Sequence, residues 1–112
     1  MRFSIQFQCY NDRGRMPPIA IIRRPIPRAA LREHAVEGSL VKAVVDCKHS
    51  IMAVGGELHA DEEQRLLEDG SDQRDLWGIN LHLDRSGEEW IEFDSMINLR
   101  PSQGNRSRGI DD

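Results

Sequence analysis

Apolar residues alternate with polar ones through much of the second half of this chain. Trp77, Ile79, Leu81 and Leu83 are interleaved with Gly78, Asn80, His82 and Asp84. Ile91, Phe93, Ile97 and Leu99 are interleaved with Glu92, Asp94, Asn98 and Arg100. A period of two marks strands with one buried face, so these segments predict a hairpin. Its register follows from the loop. A turn at Arg85-Ser86-Gly87 pairs Leu81 with Ile91 and Ile79 with Phe93. A loop one residue shorter would turn one strand's apolar side outward. Gly87 suits the left-handed position of such a turn. In this register Asn80 lies across from Glu92, and His82 across from Trp90.

The segment from Leu40 to Val54 predicts a second hairpin. Val41, Ala43, Val45 and Cys47 share one side, Leu40 and Val44 the other beside Lys42 and Asp46, and Ile51-Met52-Ala53-Val54 returns after a turn at Lys48-His49-Ser50. Strands apolar on nearly both faces belong at the centre of a sheet. Cys47 reads as a small buried hydrophobe within the first of them. Ile19-Ala20-Ile21-Ile22 is a short strand stopped by Arg23-Arg24-Pro25.

Two helices complete the pattern. Pro27 suits the first turn of one running through Ala29–Ala35, with Gly38 beyond its end and Leu31 and Ala35 toward the sheet. Asp61 is placed to cap the other, with Gln64 three residues on, Glu62 and Glu63 in the first turn, Leu66 and Leu67 inward, and Gly70 as terminator. The order is β-α-β-β-α-β-β. Tight turns make consecutive strands antiparallel. The expected fold is a two-layer α+β domain of about five largely antiparallel strands with both helices on one face. Residues 19–112 form this single domain. Residues 1–18 form an N-terminal extension outside it, for which Met16 is a candidate natural start and Phe3–Phe7 a competing edge strand.

Charge changes the picture of partners. Residues 1–56 hold nine Lys/Arg and four Asp/Glu, whereas residues 57–112 hold six and fifteen, for a net charge of −4. So acidic a second half disfavours a nucleic-acid partner, whose affinity comes from cationic neutralisation. No apolar run approaches the ~20 residues that span a membrane. Two cysteines, without Cys-x-x-Cys, fit a reduced, cytosolic protein. A chain this short buries a modest core, which homodimerisation would enlarge.

The densest polar chemistry lies in Gly55-Gly56-Glu57-Leu58-His59-Ala60-Asp61. In an extended chain Glu57, His59 and Asp61 share one side, where they could bind a divalent metal or act as acid and base. The plain alternative makes Asp61 a cap, Glu57 an arginine's partner and His59 a donor to a backbone carbonyl. A second candidate is the outer face of the last hairpin, with Asn80, Asn98 and Arg100. A third is the segment from Asn98 to Arg108, whose Arg100, Asn105, Arg106 and Arg108 could hold an anion or form a basic tail. Trp77 reads as core, and Trp90, on the polar side, as interface or stacking platform.

The blocks Val41–Asp46, Gly55–Asp61, Leu76-Trp77-Gly78-Ile79-Asn80, and Ile97–Pro101 with Gly104-Asn105-Arg106-Ser107 resemble a family of small prokaryotic proteins of unknown function. The resemblance spans about residues 19–110 and implies no activity or catalytic residue.

Three functions follow as expectations. The leading one is a binding protein for an anionic small molecule or peptide carboxylate, held by Asn80, Asn98, Arg100, Asn105 and Arg106 near the 55–61 turn. The second is a metal-assisted hydrolase built on Glu57, His59 and Asp61, with a divalent metal as cofactor. The third is a structural or regulatory interaction protein that uses the outer sheet face and Trp90.

Overall fold

The computed structural model describes residues 19–35 and 38–110. Met16 and the Phe3–Phe7 segment lie outside the described residues. Five strands form one sheet: β1 (Ala20–Ile22), β2 (Leu40–Asp46), β3 (Ile51–Val54), β4 (Leu76–His82) and β5 (Ile91–Glu92). Every pairing is antiparallel, in the order β1-β3-β2-β4-β5. With two helical segments, the 3-10 helix Arg28–His34 and α1 (His59–Glu68), this is the expected α+β fold in the expected element order.

Alternation along the strands divides the core in two. Val41, Ala43, Val54, Ile79 and Leu81 lie on one face with Leu31 of the 3-10 helix. Val44, Ala53 and Leu76 lie on the other with Leu66 of α1. The helices therefore take opposite faces rather than sharing one. The doubly apolar β2 needs cover on both sides, and Val41 and Val44 are each fully buried.

Local chemistry sets the boundaries. Asp46 ends β2 and organises the turn to β3. Its carboxylate accepts from the amides of Lys48 and His49, from His49 Nδ1 and from Ser71 Oγ. Burial alone would raise this carboxyl, but the hydrogen bonds from Ser71 and His49 outweigh it and hold it at about 2. Cys47 falls in that turn and is exposed, not buried in the strand as expected, because β2 stops one residue earlier. At the N-terminus of α1, Leu58 is the cap residue and Asp61 lies in the first turn without capping it. The chain turns helical two residues before the expected cap. At the other end Ser71 N donates to Leu66 O and Gly70 N to Leu67 O, with Gly70 at φ 104°, which is a Schellman closure.

The last hairpin departs most from its pattern. Leu81 pairs with Ile91 and Asn80 with Glu92, as the spacing predicts. The connection is longer than expected, because Gly87–Trp90 forms a 3-10 helix. Trp90 thereby leaves His82, packs on the Leu31 side of the core and lies under Arg28 at 4.3 Å. His82 meets Glu92 instead, at 3.0 Å. β5 ends at Glu92, so Phe93 never pairs with Ile79 and is exposed, and Met96–Asn98 is a 3-10 helix.

Gly78 is the reason. A Cβ there would stand 2.6 Å from Ser95 Cβ and 3.2 Å from His59 Cδ2. Without one, the chain after β5 crosses closely over β4. The Asn98 carboxamide then takes the place of a strand partner: Gly78 N donates to Asn98 Oδ1 at 2.8 Å, and Asn98 Nδ2 donates to Gly78 O at 3.0 Å. The alternating pattern is real, but a side chain supplies the ladder where backbone was expected.

Gly78→Ala should therefore cost about 2 kcal/mol by overpacking. Adding Ser95→Gly should recover most of that loss in denaturant unfolding. Equal destabilisation with and without Ser95→Gly would show that the close crossing is not the cause.

Candidate functional site

The N-terminus of α1 lands on the sheet beside β4, and this sets the fate of the Glu57, His59 and Asp61 group. Once the helix starts at His59, its period replaces that of a strand. His59 turns inward and donates from Nε2 to Ile79 O at 2.8 Å, while Glu57 and Asp61 stay exposed. The three side chains do not converge. Among the described residues no group of three His, Cys, Asp or Glu side chains is placed to hold a metal.

The helical partner of His59 is Glu62, three residues on and therefore on the same inward face. Glu62 is fully buried. Gly56 N donates to its Oε2 at 2.9 Å. The glycine is required, since a Cβ at position 56 would stand 2.9 Å from Glu62 Cγ and 3.3 Å from Ile19 Cδ1. Burial pushes the Glu62 carboxyl up to about 9, and the Gly56 amide and the Lys42 charge offset this only in part. At neutral pH Glu62 is thus a carboxylic acid, and with Oε2 accepting from Gly56 its hydroxyl falls on Oε1. That atom has no hydrogen-bond partner among the described residues.

Lys42 stands on the same sheet face, directly across from Asn80. Its charge acts on both Glu62 and His59. Burial holds His59 below its ordinary value, so it is neutral at pH 7, with Nδ1 as the lone-pair nitrogen. Asn80 donates from Nδ2 to Glu92 Oε1 and to Asp94 O, each at 3.2 Å. Both partners are acceptors, so the orientation of the amide is settled, and Asn80 Oδ1 is left buried without a partner among the described residues.

Beside these groups lies a cavity of about 330 Å³. Lys42, His59, Asn80, Asp94, Ser95 and Arg108 contribute its polar wall, and Leu58 and Met96 its apolar rim. Arg108 is tied to Asp94 by a 2.6 Å ion pair. α1 opens toward the cavity with no side-chain cap at its first turn, so its dipole adds partial positive charge there.

The remaining expected ligand residues lie elsewhere. Arg100 is buried, donates to Ile97 O and Gln73 O at 2.9 Å each and to Leu76 O, and stacks over Trp77 at 4.3 Å. Trp77 is accordingly half-buried beneath a guanidinium. Asn98 holds Gly78. Asn105 donates from Nδ2 to the carbonyls of Asn98, Ser107 and Gly109. The segment from Asn98 to Gly109 is thereby an ordered loop, bridged at Arg100 and Asn105, and not a trailing basic tail. Residues 58–60 do meet the C-terminal segment, but at Asp94–Met96 and Arg108.

Of the expected ligand residues, Asn80 lines the cavity. Sequence reading missed Glu62 and Lys42 as members of the group. The available signals were a lysine inside an otherwise apolar strand and a carboxylate one helical turn after an inward histidine.

A family model described as "Protein of unknown function (DUF5674)" matches residues 20–112. The chain belongs to that family. No curated protein and no solved structure gives a significant match. Among the described residues of this DUF5674 member, no helix is long and apolar enough to cross a membrane.

The buried acid has a measurable signature. Glu62 keeps its proton in the folded chain up to about pH 9 but loses it near 4.5 when unfolded. Its contribution is complete below pH 4.5 and is lost as pH rises toward 9, at up to about 1.4 kcal/mol per pH unit. Glu62→Gln should flatten the fall of stability between pH 5 and 9 and raise the melting temperature at pH 8. A parallel pH profile in the variant would show that Glu62 is ionised in the fold.

Proposed function

We propose that this protein binds a small carboxylate that also carries an N–H or O–H donor, in the cavity at the N-terminus of α1. The observation that carries the reading is Lys42. It lines a polar cavity, makes no ion pair or hydrogen bond among the described residues, and lies across the ladder from Asn80, whose buried Oδ1 has no donor among those residues. A carboxylate there would meet Lys42, the Ser95 hydroxyl and the first-turn amides of α1, with Arg108 at the margin. A donor on the ligand would satisfy Asn80 Oδ1. The C-terminus of a peptide, an N-acyl amino acid and a 2-hydroxy acid all have this pairing of groups.

The cavity volume lies at the small end of the usual range for ligand sites. The Lys42 charge favours the ionised form of Glu62, and a bound carboxylate would offset that charge. It competes for Lys42 and keeps Glu62 protonated, so binding strengthens the neutral state of the buried acid. Metal-assisted hydrolysis through Glu57, His59 and Asp61 has less support, because two of the three side chains point to solvent.

The test is a thermal-shift panel of N-acyl amino acids and 2-hydroxy acids, with matched esters and matched carboxylates lacking the donor. A ligand at about a hundred times its Kd should raise Tm by roughly 5 °C or more. The ester should lose the shift, and the carboxylate without a donor should keep only part of it. Lys42→Met should abolish binding while the chain remains folded. A panel without any shift, or a shift equal in Lys42→Met, would rule this reading out.

A further inference from the structure

The opposite face of the sheet holds a second and larger cavity, of about 780 Å³. It lies between the sheet and the Arg23–Arg28 segment that leads from β1 into the 3-10 helix. Its floor is Val45, Met52, Ile79 and Leu81, and Trp90 and Ile26 form its walls. Ile79 and Leu81 are buried, whereas Ile26 is exposed and Val45, Met52 and Trp90 are only half-buried. Apolar surface is thus left partly open next to a well-packed core.

The rim is rich in arginine. Arg23, Arg24 and Arg28 all border the cavity. Arg23 pairs with Asp69, and Arg28 is committed to the carbonyls of Leu83 and Arg85 and to the Trp90 ring. Arg24 makes no ion pair or hydrogen bond among the described residues and is exposed. The acid at the border, Asp46, has its carboxylate turned to His49 and Ser71, and so does not neutralise the rim. An apolar slot with a guanidinium at its mouth that no described residue pairs is complementary to a chain with an anionic head.

We infer that this cavity binds an unbranched acyl carboxylate, with its chain over Val45, Met52 and Leu81 and its head at Arg24. The site is separate from the polar cavity beside α1, and neither depends on the other.

The test uses the full chain labelled with nitrogen-15, because each tryptophan gives one indole N–H signal. Trp90 lines the cavity, whereas Trp77 lies under Arg100 and does not. Butyrate, octanoate, decanoate and decanol are titrated below their aggregation concentrations. The Trp90 signal should move and the Trp77 signal should stay. Affinity should rise about fourfold for each added methylene, as expected of buried apolar surface. Decanol should bind at least tenfold more weakly than decanoate, and Arg24→Glu should bring decanoate down to the level of decanol. No movement of Trp90 with millimolar decanoate would overturn the inference. So would equal binding of decanol and decanoate, unaffected by Arg24→Glu, which would mark a merely greasy surface. Two other occupants would also overturn it: a second copy, seen as Trp90 signals that shift with protein concentration alone, or the chain's own first residues, seen as magnetisation transfer from Phe3 or Phe7 to Trp90.

Discussion

A glycine and an amide side chain hold the C-terminal third of this protein in place. Gly78 has no side chain, so Ser95 can lie against β4 and Asn98 can bond both the N–H and the C=O of residue 78. Backbone groups inside a protein must find partners, and leaving one unmatched costs on the order of 1–3 kcal/mol. Asn98 supplies two such partners at once and then gives its own carbonyl to Asn105. Asn105 in turn gathers Ser107 and Gly109, and Arg100 closes onto Gln73 and Leu76. An otherwise irregular segment is ordered by side chains that finish backbone hydrogen bonds. The candidate polar cavity inherits its shape from that arrangement, since Asp94, Ser95 and Arg108 reach it only because the chain crosses at Gly78.

The other wall of that cavity depends on where α1 begins. A start at His59 turns His59 and Glu62 inward together, and Gly56 leaves room for the acid. The result is a neutral carboxylic acid and a neutral imidazole beside an ammonium on β2. Burying ionised groups without partners would cost several kcal/mol, so titration relieves the strain that packing creates. Such sites concentrate perturbed acids and bases, and they are frequent places for ligands and proton transfer.

Much of the fold was legible from the residues. Alternation in Leu76–His82 and the doubly apolar Leu40–Asp46 identified the two longest strands, and the Leu81–Ile91 register followed from apolar sides alone. What escaped was contact between segments distant in sequence. Phe93, Ile97 and Leu99 keep period two, yet no periodicity reveals that a glycine across the sheet will admit a side chain in place of a strand. Asp61 looked like a cap because caps are read from local spacing, whereas the helix start was decided by the burial of His59 and Glu62. Arginines and asparagines near the C-terminus looked like ligand contacts because composition does not distinguish a guanidinium facing solvent from one closing three carbonyls. Both helices were expected on one face, although β2, apolar on both sides, already called for one on each.

Sheets end somewhere, and a bare margin invites other chains to add strands. The inner strands β2 and β4 are each seven residues long, but the edge strand β5 is only two. Past that short pairing, the margin of β4 at Gly78 is sealed by a carboxamide that leaves no donor or acceptor on offer. A neighbouring molecule cannot zip along it without first evicting Asn98. The same bond that orders the C-terminal loop therefore also guards the protein against sheet-to-sheet aggregation at this edge.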